Sequence, residues 1–285
     1  MRSKDFEELR DFYNHRLALN YGDDSSKETP EYWDSAAERF AKSVHSAKGR
    51  AEAEEFLNQF IWEKGETVLD IACGPGTFAI PLALRGCKVV ATDFSAEMLK
   101  QLKLQAEREK VPEIECIKSR WLESNLQVQF DTVICLNGLG VASTDAEHKA
   151  RLGECLEKIY RLTRKRIILL IPHADSHLDD EMRRILGEYE IPMERLRIAM
   201  IYYAMVDHGM LPSIQIIQRP FKWVFSSLDE ACDVLFKKSG IKEVCTTSRE
   251  RFKKYIEKIM KPEENNNFSL TYNTKQALFI VNKTF

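Results

Sequence analysis

The sequence predicts an α/β fold: a doubly wound, mostly parallel sheet with helices on both faces. Three observations carry this. Apolar runs without alternation, such as Thr67–Ile71, Phe130–Leu136 and Arg166–Ile171, read as strands buried on both faces. Stretches with helical spacing lie between them, so strands and helices alternate along the chain. The first strand stops at Gly74-Pro75-Gly76, and a helical pattern with Phe78, Ile80, Leu82 and Leu84 starts at once.

The elements follow in order. Glu31–Ala41 places Trp33, Ala37, Phe40 and Ala41 on one helical face, with Pro30 suited to a first turn. A second helix is expected over Arg50–Phe60, so residues 1–60 read as a polar helical cap. In the core at 61–172, strand 67–71 leads to a helix over 77–85 that ends at Gly86. Strand 87–92 leads through the cap residue Ser95 to a helix over 96–109. Pro112 marks a loop before strand 114–118. After Phe130–Leu136 comes a long helix, capped within Ser143-Thr144-Asp145 and reaching Thr163. The strand Arg166–Ile171 stops at Pro172.

Beyond Pro172 the alternation breaks. Residues 173–218 hold a charged helix (Leu178–Tyr189), the apolar Ile198–Met205 and Ile214–Ile217. That is too long and too apolar for a loop and reads as an inserted subdomain. Residues 219–285 complete the sheet, all within one overall domain. A helix is expected at Ser227–Ser239, capped by Ser226 or Ser227 and ended by Gly240. A strand follows at Ile241–Thr246, then a basic helix at Arg249–Met260, a turn at 263–267 and a last strand at Gln276–Val281.

Composition narrows the partners. Among 285 residues, 42 Lys and Arg face 44 Asp and Glu, a net charge of −2. No global pull toward nucleic acid results. No apolar run approaches the ~18 residues that span a membrane. The start, Met1-Arg-Ser-Lys-Asp-Phe-Glu-Glu, is charged and is not a signal peptide. Seven cysteines, an odd number without a Cys-x-x-Cys pair, read as reduced thiols of a cytoplasmic protein. Cys73, in the glycine turn, reads as a small side chain beside a ligand.

The turn points to a ligand class. Gly74-x-Gly76-x-x-Ala79 fits a dinucleotide fingerprint, with Asp93 19 residues after Gly74. Yet Asp70, four residues before the first glycine, would repel a pyrophosphate. A carboxylate there suits a cationic ligand with a free amino group, and Pro75 stiffens the turn.

Val68-Leu-Asp-Ile-Ala-Cys-Gly-Pro-Gly-Thr77, followed by Val89-Val-Ala-Thr-Asp-Phe-Ser-Ala-Glu-Met-Leu99, resembles the cofactor-binding half of class I S-adenosylmethionine (SAM)-dependent methyltransferases of the small-molecule type. The resemblance is specific over residues 60–172. It implies a seven-stranded sheet in which the last strand is the one antiparallel member, inserted between strands five and six. It implies SAM as cofactor and S-adenosylhomocysteine (SAH) as product. Asp70 would anchor the amino group, and Ala72, Gly74 and Gly76 would lie against the methionine part. Asp93 would accept hydrogen bonds from the ribose hydroxyls, and Phe94 and Met98 would line the adenine or else belong to the core.

Relatives usually place an aspartate at the end of strand three to accept the adenine amino proton. This chain has Ser119-Arg120-Trp121 there: Ser119 substitutes for the aspartate, or a backbone group does, or Arg120 and Trp121 form the adenine wall differently. Asn137 ends strand four beside the methionine part or the transfer point. No Asn/Asp-Pro-Pro-Tyr/Phe follows, which argues against amide- and adenine-N6-methylating branches.

The acceptor side is less determined. The Tyr32-Trp33-Asp34 segment resembles one that forms part of a lid in relatives; Trp33 is then a substrate-side residue, or packs its helix on the core. Tyr202 and Tyr203 in the insertion could wall an acceptor pocket, or belong to a homodimer contact through 173–218. His173 is the candidate general base or substrate contact. His173, Asp175, His177 and Asp179 include metal-ligand types, but a solvated loop feeding a helix explains them, and no metal is expected. The reading is a methyltransferase that acts on a small molecule by in-line displacement. An RNA or protein methyltransferase of the same fold, an NAD-type oxidoreductase and a non-catalytic SAM-binding scaffold are the alternatives.

Overall fold

A computed structural model describes residues 29–147, 149–173, 180–187, 193–239 and 245–283. Strand β1 (Thr67–Ile71) pairs in parallel with β2 (Lys88–Asp93), and β2 with β3 (Glu115–Lys118). On its other side β1 pairs with β4 (Phe130–Leu136), and β4 with β5 (Thr163–His173), both in parallel. Beyond these lie β6 (Ser213–Phe225), β7 (Lys261–Pro262) and β8 (Phe268–Asn282). The order is β3-β2-β1-β4-β5-β8-β6, a seven-strand, mostly parallel sheet with one antiparallel strand, and β7 pairs antiparallel with β8.

Burial explains the apolar runs. Val68, Leu69, Ile71, Val133, Ile134, Ile167 and Ile168 are all at 0% exposure, so these strands are covered on both faces. Each such side chain contributes roughly 1.5–3 kcal/mol of transfer free energy. Polar groups fix the register at the other ends of the strands. Thr67 donates from its N–H (3.0 Å) and Oγ1 (2.9 Å) to Asp131, tying β1 to β4.

The helices are α1 (Pro30–Val44), α2 (Ala47–Leu57), α3 (Ala79–Leu84), α4 (Ala96–Arg108), α5 (Leu139–Ala142), α6 (Leu152–Leu162), α7 (Asp180–Leu186), α8 (Met193–Asp207), α9 (Leu228–Ser239) and α10 (Thr246–Ile259). Ser95 caps α4 as expected, its Oγ accepting from Met98 N–H at 3.1 Å. Among the described residues, no helix is long and apolar enough to cross a membrane.

Several expectations are corrected. The helix expected over 77–85 starts two residues later, at Ala79. The long helix expected from a cap within Ser143-Thr144-Asp145 to Thr163 is confined to α6, which starts only at Leu152, and the short α5 already ends before Ser143. Asp145 is the cause: its Oδ1 accepts from Glu147 N–H (2.9 Å) and Lys149 N–H (2.8 Å), a local turn that competes with helix. Thr144 and Ala150 then form an antiparallel bridge, and the cap of α6 is Arg151. Pro172 does not stop β5, which runs on to His173. Ile214–Ile217 lies in β6, which runs past the expected boundary at residue 218 to Phe225. The sixth strand expected at Ile241–Thr246 falls largely outside the described residues, and Thr246 already begins α10. The outer neighbour of β8 is therefore β6.

The chain divides into two compact units. One comprises the residues up to Ile171, Met200–Ile214 and those from Leu278 onward; Phe56, Leu57, Leu102 and Ile159 are among its fully buried side chains. The other comprises Pro172–Ala199 and Gln215–Ala277. Its own core gathers α7, α9 and α10 around Phe225, Leu235, Phe252 and Ile256, with the Phe236 and Phe252 rings 4.6 Å apart.

Candidate functional site

The strand order reverses direction between β1 and β4, and ligands of open α/β sheets bind outside the carboxyl ends at such a point. The residues at those ends carry the site. At the end of β1, Asp70 is 2% exposed and Ala72 takes φ +54°. The turn then closes through Gly76 N–H to the Cys73 carbonyl (3.1 Å), while Cys73 N–H reaches Thr92 O on β2 at 3.0 Å. Gly76 has φ +88°, and a Cβ on it would lie 2.7 Å from Leu102 Cγ, so only glycine fits.

Asp93 ends β2 and reaches back to this turn. Its Oδ2 accepts from Gly74 N–H at 2.8 Å and its Oδ1 from Ser95 N–H at 2.9 Å. Burial pushes its carboxyl up to about 6, against the opposing pull of the Ser95, Gly74 and Phe94 amides. Asp70 is pushed up to about 8, first by burial and then by the Asp93 charge, with the Ala79 amide opposing. Its Oδ2 is buried without a hydrogen-bond partner. The same surroundings, burial first and then Asp93 and Asp70, push the Cys73 thiol well above its ordinary range, which leaves it a small inert neighbour.

The end of β3 forms a wall. A narrow cleft is lined by Ala72, Thr92, Asp93, Phe94, Ser119, Arg120, Trp121, Val141 and Ala142. Ser119 N–H donates to Asp93 O (3.0 Å), and its hydroxyl turns to the Arg120 carbonyl (2.8 Å). The Arg120 guanidinium carbon sits 5.0 Å from the centre of the Phe94 ring. Trp121 is 4% exposed, with the Lys158 ammonium 4.6 Å from the centre of its ring. Lys158 holds this loop by donating to Trp121 O (2.7 Å), Ser124 O (2.5 Å) and Ser124 Oγ (2.9 Å).

At the end of β4, Asn137 is exposed at φ +63°, a left-handed conformation asparagine tolerates better than most residues. Its N–H donates to Leu170 O at 2.7 Å. The next residue, Gly138, packs on Ala72: a Cβ there would lie 2.5 Å from the Ala72 Cβ.

Helix α1 covers the glycine turn. The Phe40 Cε1 lies 3.8 Å from where a Gly74 Cβ would be, and His45 Nε2 donates to Pro75 O at 2.9 Å. Burial lowers the His45 pKa. The Trp33 ring packs edge-on against Tyr32 (5.4 Å) and Phe40 (6.0 Å).

The structure thus brings Ala72, Asp93, Phe94, Ser119, Arg120 and Trp121 into one cleft, with Asp70, Gly74 and Gly76 in the adjoining strand end and turn. Met98 is 2% exposed in the core and does not line the cleft. Tyr202 and Tyr203 sit on α8 with rings 5.9 Å apart, and neither lines it. His173 is the last residue of β5; its side chain, and residues 174–179 of the expected loop, lie outside the described residues. Among the described residues, no group of three or more His, Cys, Asp or Glu could hold a metal. Sequence reasoning missed Thr92, Val141 and Ala142 on the wall, and Asp34 and His45 on α1. Asp34 belongs to the Tyr32-Trp33-Asp34 segment singled out in the sequence, but its partners Ser95 and Glu97 are some sixty positions away, so its role is not readable there.

Comparison with known proteins identifies a family for this fold. The methyltransferase domain family matches residues 62–220, more than half of the chain. An uncharacterized protein of Haemophilus influenzae is 28% identical over 181 residues, 63% of this chain and 63% of its own length. The chloroplastic magnesium protoporphyrin IX methyltransferase of Arabidopsis thaliana is 31% identical over 164 residues, 49% of this chain and 51% of its own. The chain thus spans between about half and two thirds of the length of these curated relatives. Among solved structures, Haemonchus contortus phosphoethanolamine N-methyltransferase 2, in complex with phosphomonomethylethanolamine and SAH, shares the fold. Its TM-score is 0.51 at 16% identity, covering 90% of this chain and 58% of that one. The chain belongs to the methyltransferase domain family.

Proposed function

We propose that this protein transfers a methyl group from SAM to a small-molecule acceptor and releases SAH. One observation carries the reading: two buried carboxylates, Asp70 and Asp93, flank the glycine turn, and Asp70 Oδ2 has no hydrogen-bond partner among the described residues. A buried acceptor left unmade is costly, so the site suits a ligand that brings its own donors. SAM has an ammonium for Asp70 and a ribose diol for Asp93, and no phosphate to be repelled.

When bound, SAM supplies an activated methyl group on a sulfonium. The acceptor's nucleophilic atom bonds to the methyl carbon as the carbon–sulfur bond breaks, and the electron pair stays on sulfur. The chain's residues align and shield rather than activate. Asp70 holds the amino end and Gly74 and Gly76 admit the methionine part. Asp93 grips the ribose. Phe94, Ser119, Arg120 and Trp121 wall the adenine. Asn137 faces the transfer point. Trp33, Tyr202 and Tyr203 are the acceptor-side candidates, and His173 is the candidate to take the acceptor's proton.

A small acceptor fits the net charge of −2 and the acceptor named for the Arabidopsis relative, a porphyrin. Seven free cysteines fit a reducing, cytoplasmic setting. The test is methyl transfer from radiolabelled SAM with a metabolite extract or bulk tRNA as acceptor. Label in a small extractable product supports the proposal. Label in tRNA, or none with either despite tight SAM binding, overturns it in favour of an RNA enzyme or a non-catalytic SAM-binding protein.

A further inference from the structure

Asp34, on the first turn and a half of α1, reaches the head of α4. Its Oδ1 accepts from Ser95 Oγ at 2.5 Å and from Glu97 N–H at 3.1 Å. Ser95 is 0% exposed and each of its polar atoms is committed. Its hydroxyl hydrogen goes to Asp34, its Oγ lone pairs receive Met98 N–H at 3.1 Å, and its N–H holds Asp93 Oδ1 at 2.9 Å. A hydroxyl has one hydrogen to give. Without Asp34 that hydrogen is buried without an acceptor, and the hydroxyl must rotate away from its capping geometry to find one.

The connection closes on itself. From Asp34 it runs through Ser95 to Asp93 and from Asp93 Oδ2 to Gly74. One residue on, Pro75 O receives His45 Nε2, and His45 is the C-cap of α1 itself. Both ends of α1 are thereby tied to the motif that carries Asp93. Protonation of His45 would not break its tie, because Nε2 donates in either charge state.

We propose that Asp34 is a positioning residue for the Asp93 carboxylate, fixing the Asp93–Ser95 turn so that Asp93 grips the ribose of the cofactor. This rests on the assignment of Asp93 to the ribose. Asp34 touches no part of the cofactor and acts through Ser95. Its charge at the start of α4 also complements the free N–H groups there.

The test is calorimetric titration with SAH, with 5′-methylthioadenosine and with the 2′,3′-dideoxy form of the latter. The proteins are wild type, Asp34→Ala, Asp34→Asn, Ser95→Ala and Asp93→Ala, with unfolding midpoints measured alongside. Asp34→Ala should weaken SAH and methylthioadenosine alike, by about tenfold. That loss should vanish with the dideoxy ligand, which gives Asp93 nothing to hold. Asp34→Asn keeps the Oδ1 acceptor and should recover most of the affinity. Ser95→Ala breaks the same link from the other side, should reproduce the ribose-dependent loss, and serves if Asp34→Ala does not fold. Unchanged affinity in both breaking variants, or an equal loss with the dideoxy ligand, overturns the proposal. Unchanged affinity in Asp93→Ala overturns the ribose assignment beneath it, a separately visible failure.

Discussion

Gly74 and Asp93, 19 residues apart in the chain, meet where the main-chain N–H of Gly74 donates to Asp93 Oδ2 at 2.8 Å. Ser95 N–H takes the other oxygen, so both carboxylate oxygens of Asp93 face donors. An amide cannot do this, since one of its two heads is itself a donor. Asp93→Asn should therefore set an NH2 group against a backbone N–H and cost about 1–3 kcal/mol of stability. Chemical denaturation checks this; an isostable Asn variant would mean the two hydrogen bonds do not hold the turn.

The two buried acids predict a proton linkage. Asp70 is raised to about 8 and Asp93 to about 6, both above the ordinary carboxyl value. The folded protein then binds more protons than the unfolded chain over this range. Their contribution to stability is fully present at acid pH and is lost as pH rises through about 6 and then about 8. A cation at Asp70 favours the ionised form. SAM binding at pH 7 should therefore release about one proton, seen as an enthalpy that changes with the buffer's ionisation enthalpy. Asp70→Asn should abolish the dependence. A buffer-independent enthalpy in the wild type would contradict the role of Asp70.

Gly138 and Ala72 form a tight contact between the ends of β4 and β1. Gly138 has φ −111°, which any residue adopts, so Gly138→Ala meets only the steric obstacle of the Ala72 Cβ at 2.5 Å. The cost should be about 1–3 kcal/mol. Ala72→Gly removes the obstructing methyl and also relaxes the φ of +54° at that residue. The double variant should be more stable than Gly138→Ala alone, and unfolding curves of the four proteins form the cycle. Additive losses would show that the two residues do not touch.

The fold of the first unit was legible because its strands are buried on both faces and bounded by glycines. Val68, Leu69 and Ile71 and the run Val133–Cys135 are apolar at 0% exposure, and such stretches read clearly. Strand β6 was not legible. Ile214 and Ile216 are 39% and 44% exposed at the sheet edge, so the pattern that marks a buried strand is absent. The late start of α6 is hidden in the sequence because it depends on where one side chain, Asp145, places its hydrogen bonds. In the site, the glycine turn and Asp93 could be read from their spacing together with the resemblance to known methyltransferases. Asp34 could not: its meaning lies in Ser95, which only the folded chain brings to it.

The central claim is that Asp93 holds the methyl donor's ribose. Its most direct measurement is a calorimetric titration of SAH into the wild type and into Asp93→Ala, each shown to be folded. The account predicts 1:1 binding in the wild type and a loss of more than about tenfold, about 1.4 kcal/mol, in the variant. Equal affinity in the two proteins would contradict it.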